Sequence, residues 1–207
     1  MLFVINFKAY EQGIGSAAID LVRACAAQDV SVMLAVQTAD IRAIAKEGSA
    51  KVLAQHVDAN GFGSFTGSQL PEAAKVAGAV GSLINHCERP IPLEQIEQTV
   101  KRLRDLKMTS IVCAPSPRMV QKIAKFKPDF IAYEPPELVG GNVSVVSARE
   151  DLLKEAIDLY PNVICGAGIN SRADVVRAEE LGAKGVLVAS AIVKAKDPKV
   201  ALRDLVG

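Results

Sequence analysis

Short apolar runs rich in β-branched residues alternate with longer helical patterns along the whole chain, in eight strand–helix units. Runs of this kind, apolar at nearly every position, are the signature of parallel strands covered on both faces. Strands are expected at residues 2–6, 32–36, 52–57, 81–84, 110–113, 130–134, 163–165 and 185–188. Helices are expected over 14–27, 40–46, from Pro71, over 93–106, after Ser116-Pro117, from Ser147, near 172–181, and from Asp197-Pro198. Eight units in strict alternation predict an α/β chain whose sheet closes into an eight-stranded parallel (β/α)8 barrel. An open doubly wound sheet usually has fewer units and carries G-x-G-x-x-G after its first strand, where this chain has Asn6-Phe7-Lys8. No linker or shift in composition interrupts the pattern, so residues 1–207 read as one domain.

Composition narrows the function classes. Half the residues are hydrophobic, yet Trp is absent and aromatics make up 4%, so the core must be Ala, Val, Ile and Leu. With 24 basic and 23 acidic residues the net charge is +1, which offers no electrostatic footprint for nucleic acid or an anionic membrane. Cys25, Cys87, Cys113 and Cys165 are widely spaced, without a C-x-x-C pair for zinc or redox work. They are expected as free, mostly buried thiols in a reducing, cytoplasmic setting. No apolar run approaches a membrane span, and residues 2–6 are too few for a signal peptide.

In such a barrel the chemistry sits at the carboxyl ends of the strands. The sixth run ends on Glu134, then Pro135-Pro136 stops the strand, and Gly140-Gly141 lets the chain bend. That pattern reads either as a base beneath a movable loop or as an ordinary connection with a solvated glutamate. Asn6 and Lys8, two apart, are both expected to face the barrel mouth, with Phe7 packed outward. The fourth strand ends on Asn85-His86-Cys87-Glu88-Arg89 and the third on His56. The seventh and eighth end on Gly166-Ala167-Gly168 and Ala189-Ser190, small residues that either cradle a phosphate or merely turn tightly. A carboxylate, a histidine and a lysine around one mouth suit proton transfer beside a carbonyl.

Four motifs, Asn6-Phe7-Lys8, Asn85-His86-Cys87-Glu88, Ala132-Tyr133-Glu134-Pro135-Pro136-Glu137-Leu138 and Cys165-Gly166-Ala167-Gly168-Ile169, together resemble the triosephosphate isomerase family, in its short archaeal-type branch. That family is the standard example of a glutamate base and neutral histidine working under a water-excluding loop. The resemblance implies the TIM-barrel fold and interconversion of dihydroxyacetone phosphate and glyceraldehyde 3-phosphate in glycolysis and gluconeogenesis. It implies Glu134 as general base, His86 as electrophile and Lys8 as the balancing cation. Asn6 would bind substrate, backbone N–H groups at Gly140, Gly168, Ala189 and Ser190 would hold the phosphate, and Glu88 would anchor Lys8. No metal or organic cofactor is implied. Assembly is implied through the loop 58–70, as a homodimer or homotetramer, with Thr66 reaching a neighbouring subunit's site.

Two positions depart from the family pattern: Cys87 replaces the usual serine, and Asn142 ends the loop where glycine is usual. Two other readings stay open on sequence alone. One is a different phosphosugar barrel enzyme, since the segment 166–190 is nearly silent on chemistry; the other is a phosphometabolite-binding barrel without turnover.

Overall fold

The computed structural model describes residues 1–26, 30–48, 50–141 and 144–207. The strands are β1 Leu2–Asn6, β2 Ser31–Val36, β3 Lys51–Ala54, β4 Gly81–Ile84, β5 Thr109–Ala114, β6 Phe130–Tyr133, β7 Val163–Cys165 and β8 Gly185–Val188. Each pairs in parallel with the next, and β1 pairs with β8 to close the barrel. The helices between them are α1 Gly15–Ala26, α2 Ile41–Lys46, α3 Pro71–Ala77, α4 Leu93–Asp105 and α5 Pro117–Ala124. They continue with α6 Val145–Ala148, α7 Glu150–Leu159, α8 Arg172–Glu180, α9 Ser190–Val193 and α10 Pro198–Val206.

Successive side chains on a strand point to opposite faces, and this alternation builds two cores. Leu2, Val4, Met33, Ala35, Leu53, Leu83, Ile111, Cys113, Ala132, Ile164 and Leu187 fill the barrel interior. Phe3, Ile5, Phe7, Leu34, Val36 and Val112 belong to the larger layer between barrel and helices. The same alternation places Asn6, at the end of β1, and Gln37, Gln55, Asn85, Glu134, Gly166 and Ala189, one step past β2, β3, β4, β6, β7 and β8, on the inward side at the barrel mouth. Fully burying a large apolar side chain contributes about 1.5–3 kcal/mol, so a register slip that exchanged the two faces would be prohibitively costly.

Local signals set many of the boundaries. Ser116 caps α5 by accepting from Met119 N, Pro71 occupies the first turn of α3, and Gly182, at φ +101°, follows α8. Two expectations need correction. The third strand stops at Ala54 rather than 57, level with the end of β2 at Val36, and Gln55 turns its side chain to the Lys8 carbonyl. Ser147 does not cap the helix after the loop; Ser144 caps α6, and the chain breaks at Arg149 before α7. The short α9 follows β8 directly, ahead of the closing helix α10. Ala27 and Asn142 lie outside the described residues.

Candidate active site

Three strand ends supply the reactive side chains. Lys8 follows β1 with φ +49°, a region that lysine rarely enters. Three hydrogen bonds hold it there. Its N–H donates to Asn6 Oδ1 at 3.0 Å, and its carbonyl accepts from the side-chain amides of Gln37 and Gln55, both at 2.9 Å. The buried ammonium reaches Glu88 Oε1 at 2.7 Å. Burial works against the charge, but the Glu88 hydrogen bond and the surrounding negative charge outweigh it, so the Lys8 pKa lies above its ordinary value.

His86 is placed by Asn85, which itself sits at φ +60°. Asn85 Nδ2 donates to Cys113 O at 3.0 Å, and Asn85 Oδ1 accepts from Ile91 N at 3.0 Å. The imidazole's tautomer follows from a single contact. Glu88 N–H, which can only donate, points at His86 Nδ1 from 3.2 Å, so Nδ1 carries the lone pair and Nε2 the proton. Burial, helped by the Lys8 charge, lowers the His86 pKa and keeps the ring neutral. Cys87 Sγ lies 3.8 Å from the same Nδ1.

Glu134 emerges from β6 with its N–H bonded to Ala114 O at 2.9 Å and its side chain buried. Oε1 lies 3.9 Å from His86 Nε2. Burial is the dominant influence on the carboxyl and pushes its pKa up to about 7, against the opposing pull of the Cys113 thiol and Lys8. Glu134 Oε2 and His86 Nε2 are both buried without a hydrogen-bond partner among the described residues. A buried polar atom left unpaired costs about 1–3 kcal/mol, and such atoms concentrate where a ligand completes the bonding.

Lys8 joins two clefts. One is lined by Lys8, Glu134, Gly140, Gly168, Ala189 and Ser190, together with Tyr10 and Val139. The other is lined by Asn6, Lys8, His86 and Glu88, with Gln37, Gln55 and His56. The structure therefore gathers every expected site residue of this chain around one mouth, apart from Thr66 and Cys87. Thr66 stands exposed on the loop 58–70 and lines neither cleft, while Cys87 lines a small apolar cavity behind Glu134, with Cys113 and Pro136.

A match to the family model for triosephosphate isomerase runs over residues 1–206. The chain belongs to the triosephosphate isomerase family. The triosephosphate isomerase of Archaeoglobus fulgidus is 44% identical over 99% of this chain and 96% of its own length. That of Methanothermus fervidus is 39% identical over 99% and 97%. The crystal structure of triosephosphate isomerase from Bartonella henselae, at 17% identity, covers 100% of the chain and 99% of its own with a TM-score of 0.78, and shows the shared TIM-barrel fold.

Sequence reasoning passed over several residues that matter in this triosephosphate isomerase framework. Cys113 is an inward position of β5, and its thiol faces the Glu134 carboxyl. Gln37 and Gln55, which hold Lys8, directly follow β2 and β3; a polar residue one inward step past a strand was the available signal. Gly166 was read as part of a phosphate cradle, but its closest neighbour is the base. A Cβ there would stand 2.3 Å from Glu134 Cγ, so glycine leaves the space the carboxylate occupies.

Proposed function

We propose that this triosephosphate isomerase family member interconverts dihydroxyacetone phosphate and glyceraldehyde 3-phosphate with Glu134 as the base, His86 as the proton donor to the substrate oxygen and Lys8 as the cation. The observation that carries the assignment is that Glu134 Oε2 and a proton-bearing His86 Nε2 are both buried and unpartnered among the described residues, on side chains that approach to 3.9 Å through Glu134 Oε1 and that each share a cleft with Lys8. Glu134 removes a proton from the carbon next to the carbonyl. Negative charge then develops on the substrate oxygen, where Lys8 and the neutral Nε2–H stabilise it; His86 gives its Nε2 proton to that oxygen and recovers one from the neighbouring hydroxyl, which becomes the new carbonyl, while Glu134 returns the carbon-bound proton to the neighbouring carbon. A neutral imidazole suits this role, since its weak acidity is closer than that of an imidazolium to the acidity of the hydroxyl groups between which the proton moves.

Asn6, which orients the Lys8 backbone, lines the same mouth as His86. The phosphate is assigned to backbone N–H groups at Gly140, Gly168, Ala189 and Ser190, where small side chains permit close approach. Gly140 and Gly168 have φ of +74° and +68°, which suits them to such turns. The loop from Pro136 to Gly141 closes over this end and excludes water from the intermediate. A coupled assay of triose phosphate interconversion tests the whole reading. Glu134→Asp is expected to lower kcat by about 10²–10³-fold, and kcat/KM to fall on the acid side near pH 7 as Glu134 takes up a proton. Unchanged turnover in the variant removes Glu134 from the base role.

The barrel that closes β1 on β8 supports residues 1–207 as one domain. Four free thiols fit a cytoplasmic setting, and no described helix is long and apolar enough to cross a membrane. Assembly as a homodimer or homotetramer is assigned to the loop 58–70. Phe62 is 79% exposed and Phe65 48%, and both are better covered by a second copy than wetted. The loop is cross-braced, by Asp58 Oδ2 accepting from Gln69 N at 2.7 Å and by Asn60 Nδ2 donating to Ser68 Oγ at 2.7 Å. It can therefore present Thr66 to a neighbour's Lys8 and His86 without ordering first.

A further inference from the structure

The phosphate end of the cleft is walled by Gly168, Ala189 and Ser190, none of which carries charge. Lys8, the one ammonium in that lining, is already bonded to Glu88 at 2.7 Å. A dianion arriving there meets backbone N–H groups and, among the described residues of that lining, Lys8 as the single ammonium, shared with Glu88. Beside this end stands Tyr10, two residues past Lys8, with Lys194 Nζ over its ring at 4.0 Å from the centroid. Lys194 is tied to the cleft wall a second way, since its N–H donates to Ser190 O at 3.1 Å at the end of α9. Its side chain is exposed and forms no ion pair among the described residues. Of the carboxylates nearby in sequence, Asp197 accepts from Val200 N at 3.0 Å as the cap of α10, and Glu11 sits exposed beside Tyr10.

We propose that Lys194, seated on the Tyr10 ring, steers dianionic phosphate esters into this cleft, with Tyr10 as its positioning residue. The proposal rests on the reading of Gly168, Ala189 and Ser190 as the phosphate end. A ring face attracts an ammonium and limits the arcs through which a long side chain swings, which keeps the charge at the cleft rim. A fixed charge at a rim raises the local concentration of an oppositely charged ligand, and does so in a manner that salt suppresses.

Screening gives the test. The Debye length falls from about 30 Å at 0.01 M to about 3 Å at 1 M salt. Lys194→Gln is expected to lower kcat/KM for glyceraldehyde 3-phosphate about 3–10-fold at roughly 10 mM ionic strength, and less than about twofold at roughly 0.5 M. The loss should fall on KM rather than kcat, and the inhibition constant for inorganic phosphate should rise with it. Tyr10→Leu should lose part of the salt dependence, and Tyr10→Phe, which keeps the ring, should restore it. A Lys194→Gln enzyme with wild-type kcat/KM at low salt, or with a loss that salt does not diminish, overturns the proposal. Wild-type protein that fails to turn over triose phosphates overturns the underlying phosphate reading instead.

Discussion

At the scale of single residues, Glu134 and Gly166 form one unit, and each makes its own prediction. Gly166→Ala places a methyl group 2.3 Å from Glu134 Cγ, so the carboxylate must move. Displacements of about 1 Å in a reacting group cost around 10²-fold in rate, and a loss of that order in kcat is expected with circular dichroism unchanged. Glu134 also carries a stability cost. Its folded pKa, about 7, lies above the ordinary 4.5, so the fold favours the protonated form. That contribution is present at low pH and is lost as the pH rises from about 4.5 through 7. By pH 8 the ionised carboxylate costs about 3 kcal/mol, an order-of-magnitude figure. Glu134→Gln is therefore expected to raise Tm by roughly 6–10 °C at pH 8, with the gain shrinking towards pH 4.5. Calorimetry at the two pH values checks it, and an equal gain at both would place the cost elsewhere.

At the scale of elements, glycine decides where helices may pack. Gly78 ends α3 at φ +111°, and a Cβ there would come within 2.4 Å of the Ala45 side chain on α2. Gly78→Ala is expected to destabilise the protein by about 2–4 kcal/mol, combining backbone strain with overpacking, with kcat per folded molecule unchanged in an assay run well below Tm. The eight units were legible because parallel strands buried on both faces leave apolar runs, and Pro71, Ser116 and Gly182 punctuate them. The end of β3 was not, since the buried Val57 extends the apolar run past the last paired residue, Ala54. Ser144 and Ser147 are equally good caps by composition, and only the burial of Val145 and Val146 chooses between them. In the site, Lys8, His86 and Glu134 were readable as charged or polar residues at strand ends. Gln37 and Gln55 were not, because their partner is the Lys8 carbonyl, which no side-chain pattern records.

At the scale of the whole molecule, the proposed assembly through the loop 58–70 would link quaternary structure to catalysis. Phe62 and Phe65, both exposed, precede Thr66 on that loop, so a second copy that covered them would also receive that side chain. Thr66→Arg is expected to give a monomer on dilution, with kcat lowered at least tenfold because Lys8 and His86 lose a neighbour. Sedimentation velocity alongside the coupled assay tests this, and a variant that remains oligomeric and active removes the loop from the interface. The base of the loop is stiffened from the barrel side: Arg102 on α4 is paired with Glu72 on α3 and lies 3.6 Å from where a Gly61 Cβ would be.

The cavity behind Glu134 bears on how the protein meets electrophiles. Burial raises the pKa of all four thiols, Cys25 to about 12 and Cys113 well above the ordinary range. Because the thiolate is the reactive species, the buried Cys25, Cys113 and Cys165 stay inert while the barrel is folded, whereas Cys87 is only partly covered. Iodoacetamide at neutral pH should reach at most Cys87 in the native protein over hours, then label the other three promptly in denaturant. Peroxide that did reach Cys113 would remove the thiol donor facing the base, so chemical durability of the active site depends on the packing that hides that sulfur.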